Sequence, residues 1–335
     1  MTGRQDHQAA LDGLASDLAA ALGPGSVHPE QPLAQYTTFR VGGPAALLVV
    51  ADMVEVLRQA VTLAWYHQVP CRVLGSGANV LVSDAGVDSL VVVNRARVVG
   101  FCALPGEAEG GQDRCVRAES GASFSGVARQ CVRHGLAGLE WATGIPGTVG
   151  GAVIGNAGAW GGNVASALIQ ATVLEPGGAI TDWPADRFEY GYRTSILKRR
   201  ASQSVPQAVV LEAMFALRTG DRGALEARVA EISIQRKAKQ PPGASCGSVF
   251  KNPPGDYAGR LIEAAGLKGK RQGAAEISPV HGNFIVNNGG AKAADVKALI
   301  DLARSTVRAR FGVELELEIQ LVGNWPVETF SEPPL

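Results

Sequence analysis

Residues Gly144 to Gly162 read Gly-Ile-Pro-Gly-Thr-Val-Gly-Gly-Ala-Val-Ile-Gly-Asn-Ala-Gly-Ala-Trp-Gly-Gly, eight glycines in nineteen positions and no charged side chain. A segment without Cβ atoms takes positive φ and lets a ligand approach its N–H groups, which is how proteins cradle pyrophosphate and flat heteroaromatic rings. The competing reading is an irregular glycine-rich turn region buried for packing. A second loop, Leu74-Gly75-Ser76-Gly77-Ala78-Asn79-Val80-Leu81-Val82, stands between two apolar strand-like runs. Two such loops point to one large, elongated ligand. The second loop lacks the third glycine, the following helix and the acidic residue of a Rossmann dinucleotide site, so that fold is rejected.

With 335 residues the chain divides into two or three domains. Lys+Arg and Asp+Glu balance at 31 each, which leaves no global field to draw nucleic acid or a membrane, so local groups must hold any anionic ligand. Gly at 42 beside 46% hydrophobic residues fits ligand-lining loops rather than disorder. Cys71, Cys102, Cys115, Cys131 and Cys246 are odd in number and lack Cys-x-x-Cys spacing, which argues against a disulfide framework and a zinc site; most read as small buried apolar residues. His134 and His281 share no ligand-like spacing, so no metal is expected. No apolar run is long enough to span a membrane, and Asp12 and Asp17 interrupt the N-terminal segment, which predicts a cytoplasmic protein.

Leu11, Leu14, Leu18 and Leu22 predict an amphipathic N-terminal helix ended by Gly23-Pro24-Gly25. Ala46 to Val50 reads as a strand, and Asp52-Met53-Val54-Glu55 starts a helix with Met53, Leu57, Ala60, Val61 and Ala64 on one face. Arg72 to Leu74, the glycine loop, Val80 to Val82 and Leu90 to Val93 complete a small α/β unit. Pro105-Gly106-Glu107 reads as a solvent turn. A helix with Phe124, Val127 and Cys131 on one side stops at Gly135, and Leu168 to Leu174 and Val209 to Leu217 are strand-like. Asp221 caps a helix toward Lys239, Asp256 caps one carrying Leu261 and Ile262, and Val296 to Phe311 form an apolar stripe closed by Gly312. The last strand alternates, with Leu315, Leu317 and Ile319 opposite Glu314, Glu316 and Glu318. The predicted parts are 1–30, 31–97, 98–219, 220–323 and a tail, 324–335.

A set of motifs carries a resemblance. It comprises Tyr36-Thr37-Thr38-Phe39-Arg40-Val41-Gly42-Gly43-Pro44, the Gly-Ser-Gly-Ala-Asn loop, the Gly144 to Gly162 segment, Tyr190-Gly191-Tyr192-Arg193-Thr194-Ser195, and Gly247-Ser248-Val249-Phe250-Lys251-Asn252-Pro253. Over roughly residues 32 to 323 the chain resembles the UDP-N-acetylenolpyruvoylglucosamine reductases, flavoenzymes of peptidoglycan precursor synthesis. The resemblance implies an α+β chain. Its FAD-binding fold of the vanillyl-alcohol-oxidase (PCMH) type forms two α/β subdomains, with a C-terminal α+β substrate-binding domain.

It also implies roles. FAD would lie between the first two parts, its pyrophosphate on Gly75, Ser76, Gly77, Ala78 and Asn79, with Gly144, Ile145, Pro146, Gly147, Val149, Gly150, Asn156 and Gly158 along the rest. Neither glycine loop holds a His or Cys, so the flavin is expected to be dissociable. Arg193 would bind an enolpyruvyl carboxylate, since a guanidinium pairs two oxygens and keeps its charge. Ser248 would be the proton donor, a weak acid that serves only against an enolate-like carbon. The family's catalytic carboxylate precedes an aliphatic strand ending, here Ile319-Gln320-Leu321-Val322-Gly323, which favours Glu318 with Glu316 in reserve. Tyr192, Lys251 and Asn252 would meet the UDP part, with one of Arg236, Lys237 or Lys239 adding charge. Only Pro254-Gly255-Asp256 follows the Lys-Asn-Pro motif, so the chain resembles the subclass without a tyrosine lid; Cys246, where small residues are common, is a departure. The expected partners are NADPH and UDP-N-acetylglucosamine enolpyruvate, acting on a monomer. The competing readings are an oxidase of the same fold, and a non-catalytic nucleotide-binding regulator.

Overall fold

The computed structural model describes residues 2–103, 113–200 and 207–325. The Pro105-Gly106-Glu107 turn and residues 326–335 of the expected tail lie outside them. The helix Thr2–Leu22 lays Leu11, Leu14 and Leu18 against the helix Val54–Tyr66 and the first sheet. That sheet runs Val27–Pro32, Pro44–Ala51, Val87–Asn94, Cys71–Leu74; its first pair is antiparallel and the others parallel. Its β-branched strand Val87–Asn94 is buried on both faces, as a central parallel strand requires. Met53 does not join the apolar face of Val54–Tyr66. It is the helix N-cap, without a side-chain cap bond, and is 61% exposed, so the capping box expected at Asp52 does not form.

A second, antiparallel sheet runs Ile180–Pro184, Leu168–Leu174, Val209–Thr219, Asp113–Glu119, Val99–Ala103, with Leu136–Ala137 paired to Val209–Thr219. The helix Phe124–Arg133, capped by Ser123 on the Gly126 amide, packs its Phe124, Val127 and Cys131 over this sheet. Cys102 and Cys115 stand opposite each other in adjacent strands and are joined as a disulfide, which corrects the expectation of unpaired cysteines. Their separation of 13 in sequence hides an adjacency that only strand register creates.

The third unit holds the short antiparallel strands Arg271–Gln272, Ala275–Ile277 and Ile285–Asn287, covered by the helices Ala258–Ala264 and Ala293–Phe311. Asp221 caps Arg222–Lys239 as expected, accepting from the Ala224 amide at 2.7 Å. Asp256 does not cap its helix: Tyr257 is the N-cap, and Asp256 pairs with Arg260 while Asn252 Oδ1 accepts from the Ala258 amide. The final strand is only Gln320–Val322, and it runs parallel to Val80–Val82. Thus the Gly75 to Asn79 loop does not connect neighbours in one sheet. It leaves Cys71–Leu74 in the first sheet and enters a strand that the C-terminus holds.

Candidate active site

A cavity of about 460 Å³ opens where these three units meet. The glycine loop Gly75 to Asn79 forms one wall, and Ile145, Pro146, Gly147, Gly150 and Gly158 form another. The loop packs closely on its neighbours at two points. A Cβ on Gly75 would stand 2.3 Å from Thr148 Oγ1, and one on Gly77, which has φ +63°, would stand 2.2 Å from the Tyr36 carbonyl oxygen. Only glycine permits so close an approach. The amides of Ser76, Gly77 and Ala78 donate to no backbone carbonyl among the described residues, so they are left for a ligand. An uncharged nest of this kind fits a diphosphate.

The Gly144 to Gly162 segment is less open than its composition implies, because it contains the helix Val149–Gly155. Val149 does not reach the cavity: its side chain is fully buried in the core over the second sheet and its amide donates to Ala122 O. Gly144 also stands behind the wall, its amide donating to Ser125 Oγ at 2.7 Å. The space left by its missing Cβ is filled by Arg236, whose Cδ would lie 2.8 Å from that atom. Asn156 adopts a left-handed conformation at the end of the helix and is consumed by the fold. Its Oδ1 accepts from Ala165 N at 3.0 Å, and its Nδ2 donates to Gly191 O at 2.9 Å. That second bond fastens the turn carrying Arg193.

The turn explains the spacing of its motif. Gly191 and Thr194 exchange backbone bonds around Tyr192 and Arg193, forcing Arg193 to φ 56°. Ser195 is completely buried; its hydroxyl donates to Ile154 O at 2.7 Å and accepts from Lys198 N, pinning the turn to the glycine segment. Arg193 then faces Glu318, with Nε 3.1 Å from Oε1 and both side chains about three-quarters or more covered. Tyr192 is exposed and its ring lies beneath the Arg193 guanidinium.

Ser248 lines the same cavity beside Glu318. Val249 and Phe250 are buried and clamp it from below: Val249 N donates to Asn283 O, and Asn283 bonds Phe250 through both its amide atoms. Val249 O receives the Glu318 amide and Glu316 O receives the Lys251 amide, so the two stretches run side by side. Glu316 does not share the position of Glu318. The expected strand is not continuous: Leu317 makes an isolated bridge to Phe250 and the chain bends at Glu318 and Ile319, so Glu316 turns out at 72% side-chain exposure to pair with Lys251, while Glu318 turns inward. Burial raises the Glu318 carboxyl above its ordinary value, against the pull of Arg193, Lys198 and Lys251. Cys246 also lines the cavity, and burial pushes its thiol well above the usual range. Asn252, Lys251 and Tyr192 are not part of the cavity wall.

Three cations on that wall were not singled out with the catalytic set: Lys198, Arg72 and Arg236. Burial lowers the proton affinity of each. Neither Arg72 nor Arg236 has a side-chain partner among the described residues, an arrangement suited to an anionic ligand.

A family model described as the FAD binding domain matches residues 44–183, and one described as the UDP-N-acetylenolpyruvoylglucosamine reductase C-terminal domain matches residues 237–322. A UDP-N-acetylenolpyruvoylglucosamine reductase from Chloroflexus aggregans is 45% identical over 299 residues, covering 89% of this chain and 98% of the relative. The chain belongs to the UDP-N-acetylenolpyruvoylglucosamine reductase family. The reductase from Rubrobacter xylanophilus is also 45% identical, over 88% of this chain and 94% of its own. A crystal structure of the reductase from Thermus caldophilus superposes with a TM-score of 0.70 at 36% identity, covering 88% of this chain and 98% of that one. The fold is therefore α+β, an FAD-binding domain of the vanillyl-alcohol-oxidase type followed by the C-terminal domain of these reductases, and the protein is a flavin-dependent oxidoreductase of peptidoglycan synthesis. No helix among the described residues is long and apolar enough to cross a membrane.

Proposed function

We propose that the chain reduces UDP-N-acetylglucosamine enolpyruvate to UDP-N-acetylmuramate with NADPH, in the cytoplasm and as a monomer. The observation that carries this reading is the Arg193–Glu318 ion pair, which lines the same cavity as Ser248 and both glycine segments. When bound, dissociable FAD would supply hydride chemistry, passing hydride from NADPH to the enolpyruvyl methylene carbon. Gly75, Ser76, Gly77, Ala78 and Asn79 would hold the cofactor diphosphate, and Ile145, Pro146, Gly147, Gly150 and Gly158 would flank its remainder. On this reading residues 31–97 and 98–219 enclose the cofactor and 220–323 cover the substrate.

Arg193 takes the substrate carboxylate in its planar fork, drawing negative charge toward it as hydride arrives at the neighbouring carbon. Ser248 then gives its hydroxyl proton to the carbon α to the carboxylate, converting the enol ether into a lactyl ether. Glu318 holds Arg193 in place until the substrate carboxylate arrives and keeps the centre polar. Lys251, Asn252 and Tyr192 do not line the cavity and are assigned to the nucleotide part of the substrate; Arg236 adds the buried charge that this neutral chain needs locally. All these groups come from one chain, so a monomer suffices.

The test is anaerobic. Holoenzyme bleached with NADPH should regain its oxidised flavin spectrum when UDP-N-acetylglucosamine enolpyruvate is added. A flavin that stays bleached discards the substrate. Ser248→Ala should slow reoxidation on the order of 10² to 10⁴-fold while flavin reduction by NADPH proceeds. Equal loss in both half-reactions would remove the role given to Ser248.

A further inference from the structure

Lys198 stands on the short helix Ile196–Arg200 and reaches the floor of the cavity. Its Nζ donates to Arg193 O at 3.1 Å and to Glu318 O at 3.4 Å. Those carbonyls belong to segments far apart in sequence, and each segment carries one member of the Arg193–Glu318 pair. Arg193 is held at φ 56°, a conformation that side chains other than glycine rarely adopt, and an ammonium on its carbonyl fixes that turn from below.

The charges around Lys198 are Arg193 on the turn, Lys251 after the Ser248 stretch, and Glu316 and Glu318 on the C-terminal segment; the Cys246 thiol also faces Glu318. Lys251 and Glu316 pair with each other, as do Arg193 and Glu318. Lys198 is bonded to carbonyls alone, so its charge is the surplus of the cluster. We propose that Lys198 is a positioning residue: it clamps the Arg193 turn to the Glu318 segment, and its unpaired charge beside Glu318 frees Arg193 to engage an incoming carboxylate. The inference rests on the reaction proposed above. A substrate carboxylate would otherwise compete with Glu318 for a single guanidinium. With Lys198 in place, Glu318 keeps a cationic neighbour when Arg193 turns to the substrate.

The experiment compares wild type, Lys198→Met and Lys198→Arg as holoenzymes labelled with carboxyl ¹³C glutamate, the Glu318 resonance being the one lost in Glu318→Gln. Lys198→Met should move the Glu318 titration midpoint to higher pH and shift the acidic limb of kcat/KM in the same direction. Its kcat should fall on the order of 10²-fold, the scale of a small misplacement of reacting groups. Lys198→Arg, which keeps the charge, should leave the midpoint near that of wild type. An unmoved midpoint in Lys198→Met, or an equal move in Lys198→Arg, overturns the proposal, because a residue that only packs would not respond to charge. The titration needs no substrate. A wild-type holoenzyme that fails to reoxidise with the enolpyruvate would therefore sink the proposed reaction while the midpoints still decide what the Lys198 charge does.

Discussion

The unbonded amides of the Gly75 to Asn79 loop depend on the path that Gly77 allows, so Gly77→Ala should separate cofactor binding from general stability. At φ +63° an alanine costs about 1–2 kcal/mol in backbone strain alone. Its Cβ would also meet Tyr36 O at 2.2 Å and Thr37 Cα at 2.7 Å, both backbone atoms that no rotamer change can move. Relief requires the loop to shift by about 1 Å, which loosens the bonds that Thr38 N and Thr38 Oγ1 donate to Gly77 O, each 3.2 Å and worth about 1 kcal/mol net. The same shift carries the Ser76 and Ala78 amides off a bound diphosphate. Two bonds to a charged group are worth about 3–6 kcal/mol, or roughly 10² to 10⁴-fold in Kd. Gly178→Ala is the control, since Gly178 has φ +89° but nothing within 4 Å of where its Cβ would stand, and it does not line the cavity. It should lose a few degrees of Tm, at about 2–4 °C per kcal/mol, and bind FAD normally. Fluorescence titration of flavin-stripped protein, with a melting curve for each variant, measures both quantities. A Gly77→Ala protein that holds FAD within about threefold of wild type would refute the idea that this loop is the diphosphate cradle.

Glu318 gives a prediction in pH. Burial raises its carboxyl above the ordinary carboxylate value, so the folded protein keeps a proton that the unfolded chain has already released. The stability it contributes is complete below that ordinary value and is lost as pH rises through its folded value. Glu318→Gln mimics the protonated form, so the Tm difference should widen in the variant's favour as pH rises across that window; a difference flat in pH would contradict the buried, inward placement of this carboxylate. The disulfide gives a count. Protein denatured without reductant should titrate three thiols, from Cys71, Cys131 and Cys246, and five after reduction. Five thiols before reduction would break the Cys102–Cys115 assignment.

Local pattern carried the helices well. The leucine spacing from Leu11 to Leu22, the Asp221 cap and the stripe from Val296 toward Phe311 each describe a face or an end that neighbours in sequence decide, and each is found where the pattern puts it except at Phe311, which stands exposed beyond the buried part of the stripe. What the pattern misjudged depends on partners distant in sequence. Val80–Val82 looks like the return strand of the Gly75 to Asn79 loop, yet its hydrogen-bond partner is Gln320–Val322, so the cavity is closed by a chain end that no local spacing announces. Alternation puts Glu316 and Glu318 on one face only in a continuous extended strand; here the chain bends at Glu318 and Ile319, and one carboxylate finds Lys251 while the other finds Arg193. Glycine content marked residues 144 to 162 as exposed backbone, whereas part of that content lets helix Val149–Gly155 pack closely: a Cβ on Gly150 would meet Ser120 Cβ at 2.9 Å. Lys198 was hidden for the opposite reason. It begins the run Lys198-Arg199-Arg200, which reads as a solvated helix end, and Arg199 and Arg200 are exposed. Lys198 is drawn inward because Ser195, three residues before it, is pinned to Ile154 and accepts the Lys198 amide, so the anchor of the Arg193 turn also aims the lysine. The Tyr-Arg-x-Ser spacing thus positions two cations, and only the first of them stands inside the motif.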